Sequence, residues 1–342
     1  MKKLLLGASL AALLTACGSG GNSPSATEIK IVGSSTVYPF TTAVAESFER
    51  ANPGVRVFVE STGTGSGMKL FCEGLGTQYP DMVNASRRMK SSEFENCEAA
   101  GVTEILELPI GIDGLTLIHA AGDAPLTLTS EQVYRALAAT PYGDEQTATR
   151  WSDIDPSLPD TPILVYGPPP TSGTRDSFVE LVMEVGCDAN AEMQALKDSD
   201  EDAHKTTCTK IREDGAFVEA GENDNLLVQK VSGEPGALGI LGYSFLDANA
   251  DKVRPVALDG VEPTPETISS LEYPAARLLY VYAKKQHAAA KPALADFIAA
   301  YKDAWQPGGL LATRGLVALG DEQRASSDAV ASEMTVLDGS SL

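Results

Sequence analysis

Three short loops constrain this chain more than anything else in it: Gly33-Ser34-Ser35-Thr36, Gly63-Thr64-Gly65-Ser66-Gly67 and Thr171-Ser172-Gly173-Thr174. Each follows an apolar run of strand character and opens a segment with helical spacing. Repeated strand, Gly-rich turn and helix make an α/β protein with mostly parallel sheets. Ligands in such folds sit at the carboxyl ends of the strands, where these loops fall. A helix N-terminus offers free N–H groups and partial positive charge, while Gly lets a ligand approach backbone that Ser and Thr hydroxyls then supplement. Two loops lie near the N-terminus and the third far downstream, which predicts two lobes closing on one small anion.

The first residues carry Lys2 and Lys3, an apolar run from Leu4 to Leu14, and then Cys17 with a Gly/Ser/Asn-rich stretch behind it. The run is too short to span a bilayer and reads as a secretory leader. Ending on Cys after small residues, it resembles a bacterial lipoprotein signal. That implies cleavage after residue 16, lipidation of Cys17, a flexible tether over 17–28 and an exported protein held at a membrane surface by its lipid.

Of the five cysteines, Cys72, Cys97, Cys187 and Cys208 remain after Cys17. An even number in an exported chain predicts two disulfides. Three connectivities are open, and the local one, Cys72 with Cys97 and Cys187 with Cys208, is favoured because each bridge then closes a loop inside one lobe. The sequence holds no CxxC pair and no His cluster, so neither a metal nor a cofactor is expected. Losing Lys2 and Lys3 with the leader takes the net charge from −21 to −23. So acidic a chain is unsuited to nucleic acid, and it repels anions at long range, so an anion site here must work through short contacts.

Strands are predicted over 29–32, 55–61, 105–108, 115–119, 163–166, 237–241 and 278–282. Val37, Phe40, Val44 and Phe48 recur at helical spacing, as do Leu294, Phe297, Ile298, Tyr301 and Trp305; both sets read as core. Ser130 caps a helix over 131–139, and 143–162, rich in turn residues, reads as an exposed excursion.

The order of these motifs resembles the phosphate-binding proteins (PstS) of bacterial phosphate ABC importers. The resemblance runs through Gly33-Ser34-Ser35-Thr36-Val37-Tyr38-Pro39, Gly63-Thr64-Gly65-Ser66-Gly67-Met68-Lys69, Asn84-Ala85-Ser86-Arg87, Thr171-Ser172-Gly173-Thr174-Arg175-Asp176, Pro235-Gly236-Ala237-Leu238-Gly239 and Tyr273-Pro274-Ala275-Ala276-Arg277-Leu278-Leu279-Tyr280. It implies a type II periplasmic-binding-protein fold: two α/β lobes, 29–109 with 270–342 and 110–269, joined by a two-strand hinge near 109–115 and 273–279. It further implies a monomer, in the periplasm or on the outer cell surface, that captures inorganic phosphate and delivers it to ABC permease subunits. The implied contacts are Ser35 and Thr36 from the first loop, Thr64 or Ser66 from the second, and Ser172, Gly173 and Thr174 from the third. For each hydroxyl the competing reading is a plain helix cap.

The chain departs from the family pattern twice. Arg87 stands where the family has an Asp that accepts phosphate's proton, and Pro168 stands where it has an Arg. Arg87 or Arg175 is expected to supply the guanidinium, whose planar fork suits a tetrahedral oxyanion. Asp113 is expected to accept the proton, ahead of Asp176; an ion pair between Arg87 and Asp113 is the alternative. Competing functions are binding of sulfate, molybdate or arsenate, a sensor or adhesion role on the same lobes, and an acyl-transfer enzyme built on Ser66-Gly67-Met68-Lys69.

Overall fold

The computed structural model describes residues 27–342 except Glu222. The leader, Cys17 and nearly all of the expected tether lie outside the described residues. Eleven strands are formed: β1 (Glu28–Gly33), β2 (Arg56–Ser61), β3 (Met82–Ala85), β4 (Ile105–Ala120), β5 (Thr127–Leu128), β6 (Val165–Gly167), β7 (Phe217–Glu219), β8 (Leu238–Gly242), β9 (Val253–Pro255), β10 (Ala257–Leu258) and β11 (Ala276–Lys284). Nine join one mixed sheet in the order β2-β1-β3-β11-β4-β8-β6-β7, with β9 paired to β4; β5 and β10 make a small parallel pair. β1 begins at Glu28, the last residue of the expected tether.

The two strands predicted at 105–108 and 115–119 are one 16-residue strand, β4. Its first part pairs antiparallel with β11 and its last part with β8 and β9, so it carries the chain from one half of the sheet to the other. The register with β11 shifts between Leu279 and Tyr280, which face Gly111 and Pro109 and leave Ile110 unmatched. A bulge suits this spot, since Pro109 has no N–H to give a ladder.

Helices cover both faces. In the first half, Val44 and Phe48 of α1 (Tyr38–Ala51) pack with Phe297 and Tyr301 of the helix Pro292–Ala304 over Ile29, Ile31 and Leu108. Phe48 meets Phe297 edge-on at 5.3 Å. α2 (Thr64–Phe71) and α3 (Ser91–Ala99) cover the opposite face through Met68, Phe71 and Phe94. α2 reaches β1 because glycines meet there: a Cβ on Gly67 would lie 2.5 Å from the Gly33 Cα. Gly33 itself has φ +126° and no room for a side chain against Asn84.

In the second half, α4 (Ser130–Leu137) begins one residue earlier than predicted and ends two earlier, with Thr129 and not Ser130 as its cap: Thr129 Oγ1 accepts the Gln132 N–H while Gln132 Oε1 accepts the Thr129 N–H. The stretch 143–162 is tied down more firmly than its turn residues suggest. It contains α5 (Trp151–Ile154), and Trp151, 1% exposed, is part of the core. Disulfides join Cys72 to Cys97 and Cys187 to Cys208, the favoured local connectivity. Among the described residues no helix is long and apolar enough to cross a membrane.

Three titratable side chains, Lys291, His287 and Lys284, gather around buried Asp81. Its carboxylate accepts from Lys291 Nζ at 2.8 and 2.9 Å, His287 Nδ1 at 2.7 Å and the Lys30 N–H at 2.9 Å. Burial opposes its ionisation, yet the hydrogen bonds from His287 and Lys291 outweigh that and hold its pKa below the usual carboxylate range. His287 Nε2 accepts the Gly76 N–H, which fixes the proton on Nδ1. Lys284 is fully buried nearby, donating to the Gly74 carbonyl at 2.7 Å and lying over Phe71.

Burial pushes Lys284 down to about 8 from an ordinary 10.5, Lys291 assisting and Asp81 opposing. Between those values the unfolded chain holds more protons than the folded one, so this residue makes stability rise with pH over that window. Lys284→Met is expected to leave stability near wild type at pH 7, as buried charges replaced by apolar groups of similar volume commonly do, and to remove the rise. Urea midpoints of both proteins at pH 7, 8.5 and 10 check this; equal slopes for the two would contradict it.

Candidate functional site

All three loops take the predicted place, at the carboxyl end of a strand and the start of a helix. The first links β1 to α1, where Ser34 Oγ accepts the Val37 N–H at 3.3 Å. The second links β2 to α2 through Gly63, whose φ is +79°. The third follows β6 and opens α6 (Gly173–Phe178), from which helical backbone continues to Cys187. Ser172 is a genuine N-cap, accepting the Thr174 N–H at 3.2 Å.

The first and third loops touch. Thr36 Oγ1 donates to the Gly173 carbonyl at 3.3 Å and lies 3.4 Å from Ser177 Oγ, while Ser35 Oγ donates to the Asp176 carboxylate. Gly173 is required at this contact, because a Cβ there would stand 2.8 Å from the Thr36 Cα and 2.9 Å from the Ser35 carbonyl oxygen. The second loop is tied to the first by the Thr62 and Gly63 N–H groups on the Gly33 carbonyl, each at 2.9 Å, but its hydroxyls point elsewhere: Thr64 Oγ1 is bonded to Ser86 through its N–H at 3.1 Å and its hydroxyl at 3.0 Å, and Ser66 is exposed.

Two cavities follow from this arrangement. A cleft of about 820 Å³ is lined by Thr64, Ser66, Ser86, Arg87, Glu180 and Arg277, among others. A smaller one of about 400 Å³ lies among Ser35, Thr36, Asp113, Ser172, Thr174 and Ser177. The mouth of the larger cleft also carries Arg88, Lys90 and Lys205 against Glu184 and Glu201, a cationic excess in an acidic molecule.

The two arginines expected to face the ligand are engaged elsewhere. Arg87 makes a two-pronged bond to Glu93, at 2.9 and 2.7 Å. Burial opposes ionisation of Glu93, but Arg87 and the Lys90 N–H hold its carboxyl below the usual range. Arg175 donates to the Pro168 carbonyl at 2.9 Å and stacks over the Phe217 ring, so it braces the third loop from behind; burial lowers its pKa from the ordinary arginine value. Arg87 and Asp113 are not paired with each other.

The guanidinium that does lie among the loops belongs to Arg277 of β11. Its Nη2 donates to Thr36 Oγ1 at 3.2 Å and to Ser177 Oγ at 3.0 Å, and its Nη1 donates to the Glu180 carboxylate. Asp113 accepts from Ser177 Oγ at 2.6 Å and lies 3.6 Å from Arg277 Nε. Arg277 and Asp113 face each other across the β4–β11 ladder. In the sequence Arg277 falls in the expected hinge segment 273–279 and carries no expected ligand role. The signal that reveals it is that register, joining residues 164 positions apart along the chain, read from 277 and 113.

Of the remaining titratable groups, His204 sits beside the Cys187–Cys208 bridge with Nε2 on Asp188 at 2.7 Å. With both sulfurs in the disulfide, that group offers a metal no thiolate.

Comparison with known proteins gives a consistent set of likenesses. A family model described as a PBP superfamily domain matches residues 18–300. The chain is 33% identical to Protein SphX of Synechocystis sp. over 307 residues, 88% of this chain and 79% of that one. It is 31% identical to the phosphate-binding protein PstS of Staphylococcus saprophyticus over 302 residues, 86% of this chain and 82% of that one. Among solved structures, a possible phosphate binding protein from Planctomyces limnophilus is similar with a TM-score of 0.72 and 30% identity, over 90% of this chain and 98% of that one.

The contact at Gly173 is a direct test of how the first and third loops meet. Gly173→Ala puts a methyl group against the backbone of Ser35 and Thr36 and is expected to hold the loops apart. Small-angle scattering should then give a larger radius of gyration than wild type with helical circular dichroism preserved; an unchanged radius would contradict the steric reading.

Proposed function

The chain belongs to the PBP superfamily and, within it, to the phosphate-binding proteins, and from that membership we propose that it captures inorganic phosphate between two closing lobes and delivers it to the permease subunits of an ABC transporter. The observation that carries this reading is the meeting of the first-loop hydroxyl of Thr36 and the α6 hydroxyl of Ser177 on one guanidinium, that of Arg277, with the Asp113 carboxylate behind it. Phosphate presents four oxygens, and near neutral pH some carry protons. Ser35, Thr36, Ser172 and Thr174 supply hydroxyls and, with Gly173, backbone N–H groups. Thr64, and Ser66 beside it, face the large cleft from the second loop, which lies on the same lobe as the first. Arg87, fixed by Glu93, braces the first-lobe wall beside the second loop, and Arg175, fixed by Pro168 and Phe217, braces the third loop.

Closure expels water and strengthens each charge-assisted bond. Micromolar affinity needs about −8 kcal/mol, within reach of several such bonds at roughly 1.5 to 3 kcal/mol each after ordering costs. Selectivity rests on Asp113. A carboxylate gains a hydrogen bond from protonated phosphate and only repulsion from sulfate, and a charged group left without its partner costs more than about 1 to 3 kcal/mol. The role we assign is binding rather than catalysis, as in the substrate-binding family to which the chain belongs. We place the mature protein outside the cytoplasm, acting as a monomer and held to a membrane by a lipid on Cys17.

Calorimetric titration with phosphate, arsenate, sulfate and molybdate between pH 6 and 8.5 tests this reading. Phosphate is expected to bind, arsenate to follow because it shares shape and protons, and sulfate to be excluded. Asp113→Asn is expected to weaken phosphate about tenfold or more and to narrow the gap to sulfate. Equal affinity of Asp113→Asn and wild type would remove the role given to Asp113, and preference for sulfate or molybdate would replace phosphate as the ligand.

A further inference from the structure

Arg277 is placed unlike any other cation among the described residues. Its side chain is 12% exposed, it sits on a strand of the hinge, and it touches residues from both halves: Thr36 of the first loop, Ser177 and Glu180 of the helical run that begins at Gly173. Its donors are unevenly satisfied. Nη2 has two hydroxyl partners, Nη1 has Glu180, and Nε is buried with no hydrogen bond, Asp113 being nearest at 3.6 Å. Arg277 and Glu180 both line the large cleft together with Thr64 and Ser86 of the second-loop side.

Glu180 differs from the other partners. Its carboxylate is 46% exposed, and exposed ion pairs hold weakly because water screens the charge while the side chain loses freedom. A tetrahedral oxyanion can face two guanidinium N–H groups at once and take hydroxyl bonds on its other oxygens, a stronger arrangement inside a closing cleft. Thr36 and Ser177 are neutral and can stay on Nη2 as the anion arrives. Asp113, opposite in register, cannot swing away without breaking its bond to Ser177. Glu180 is thus the partner that can leave.

We infer that Arg277 is the cation that receives the anion and that Glu180 is an internal carboxylate competing with the anion for it, so that Glu180 sets the affinity of the site. This rests on the oxyanion reading above and adds what that reading leaves open, the source of the guanidinium and what it holds beforehand. Arg314, which lines the smaller cavity, is exposed and far less constrained.

Two substitutions separate competition from a purely structural ion pair, because the two ideas predict different signs. Under competition, Glu180→Gln frees Nη1 and tightens phosphate binding by about two- to fivefold, while Arg277→Lys keeps the charge, loses the fork and weakens binding by about ten- to a hundredfold. A structural pair predicts that both variants weaken binding or that neither changes it, and either result overturns the inference. Thermal midpoints of the variants are measured alongside. Should Arg277→Lys be unstable, Glu180→Gln, an exposed position, decides alone by the sign of its effect. Wild-type protein titrated with phosphate, arsenate and sulfate separates the two levels. If it binds none of them, the oxyanion reading fails and this inference with it; if it binds phosphate and Glu180→Gln does not tighten binding, only the competition fails.

Discussion

The pairing of β4 with β11 is the constraint on which the rest of the structure depends. It is the seam between the two halves of the sheet, and its register sets Asp113 against Arg277. In an antiparallel ladder a slip of one residue sends every side chain to the opposite face. Such a slip would take Arg277 away from Thr36 and Ser177, and leave the half-buried Asp113 without a cation. The bulge at Ile110, beside Pro109, belongs to the same device. It absorbs the mismatch within the seam, so that the Ile105–Pro109 end stays aligned with the Tyr280–Lys284 end while the Asp113 end meets Arg277.

Much of this frame was readable in the residues because the signals are local. Apolar runs followed by Gly and hydroxyls mark β1, β2 and β6 with their loops, and the periodic Val44, Phe48, Phe297 and Tyr301 are core as their spacing requires. What escaped is non-local or conflicts with its own composition. β3 is four residues long and carries Asn84 in its middle, a residue disfavoured in strands. It is tolerated because its Oδ1 accepts from Thr41 and its carbonyl accepts the Ser34 N–H. Trp151 sits in a stretch whose turn residues argue for exposure, and one large aromatic reverses that locally. Arg277 was visible as a letter and silent as a role, because only the strand register brings it to Thr36.

The distribution of charge explains how an acidic chain holds an anion site at all. With 47 acidic residues against 26 basic ones, the field far from the surface is negative. Several of the bases are spent inside: Lys284, Lys291 and Arg212 are buried, tying carbonyls and carboxylates across chain segments far apart in sequence. Salt shortens the reach of the acidic surface to about 8 Å under physiological conditions. An anion inside the cleft therefore feels chiefly its own walls, where Arg277, Arg88, Lys90 and Lys205 stand.

Placing the key guanidinium on the seam has a mechanical consequence. A cation on either lobe alone could hold an anion while the cleft stood open. Arg277 takes Thr36 from one side and Ser177 from the other on a single nitrogen, so its side chain is set only where the first and third loops meet. The same meeting brings Gly173 against Ser35 and Thr36 with no room to spare. Closure and the presentation of the donor fork are then one event, and the affinity of the site measures how well an anion stabilises the closed arrangement over the open one.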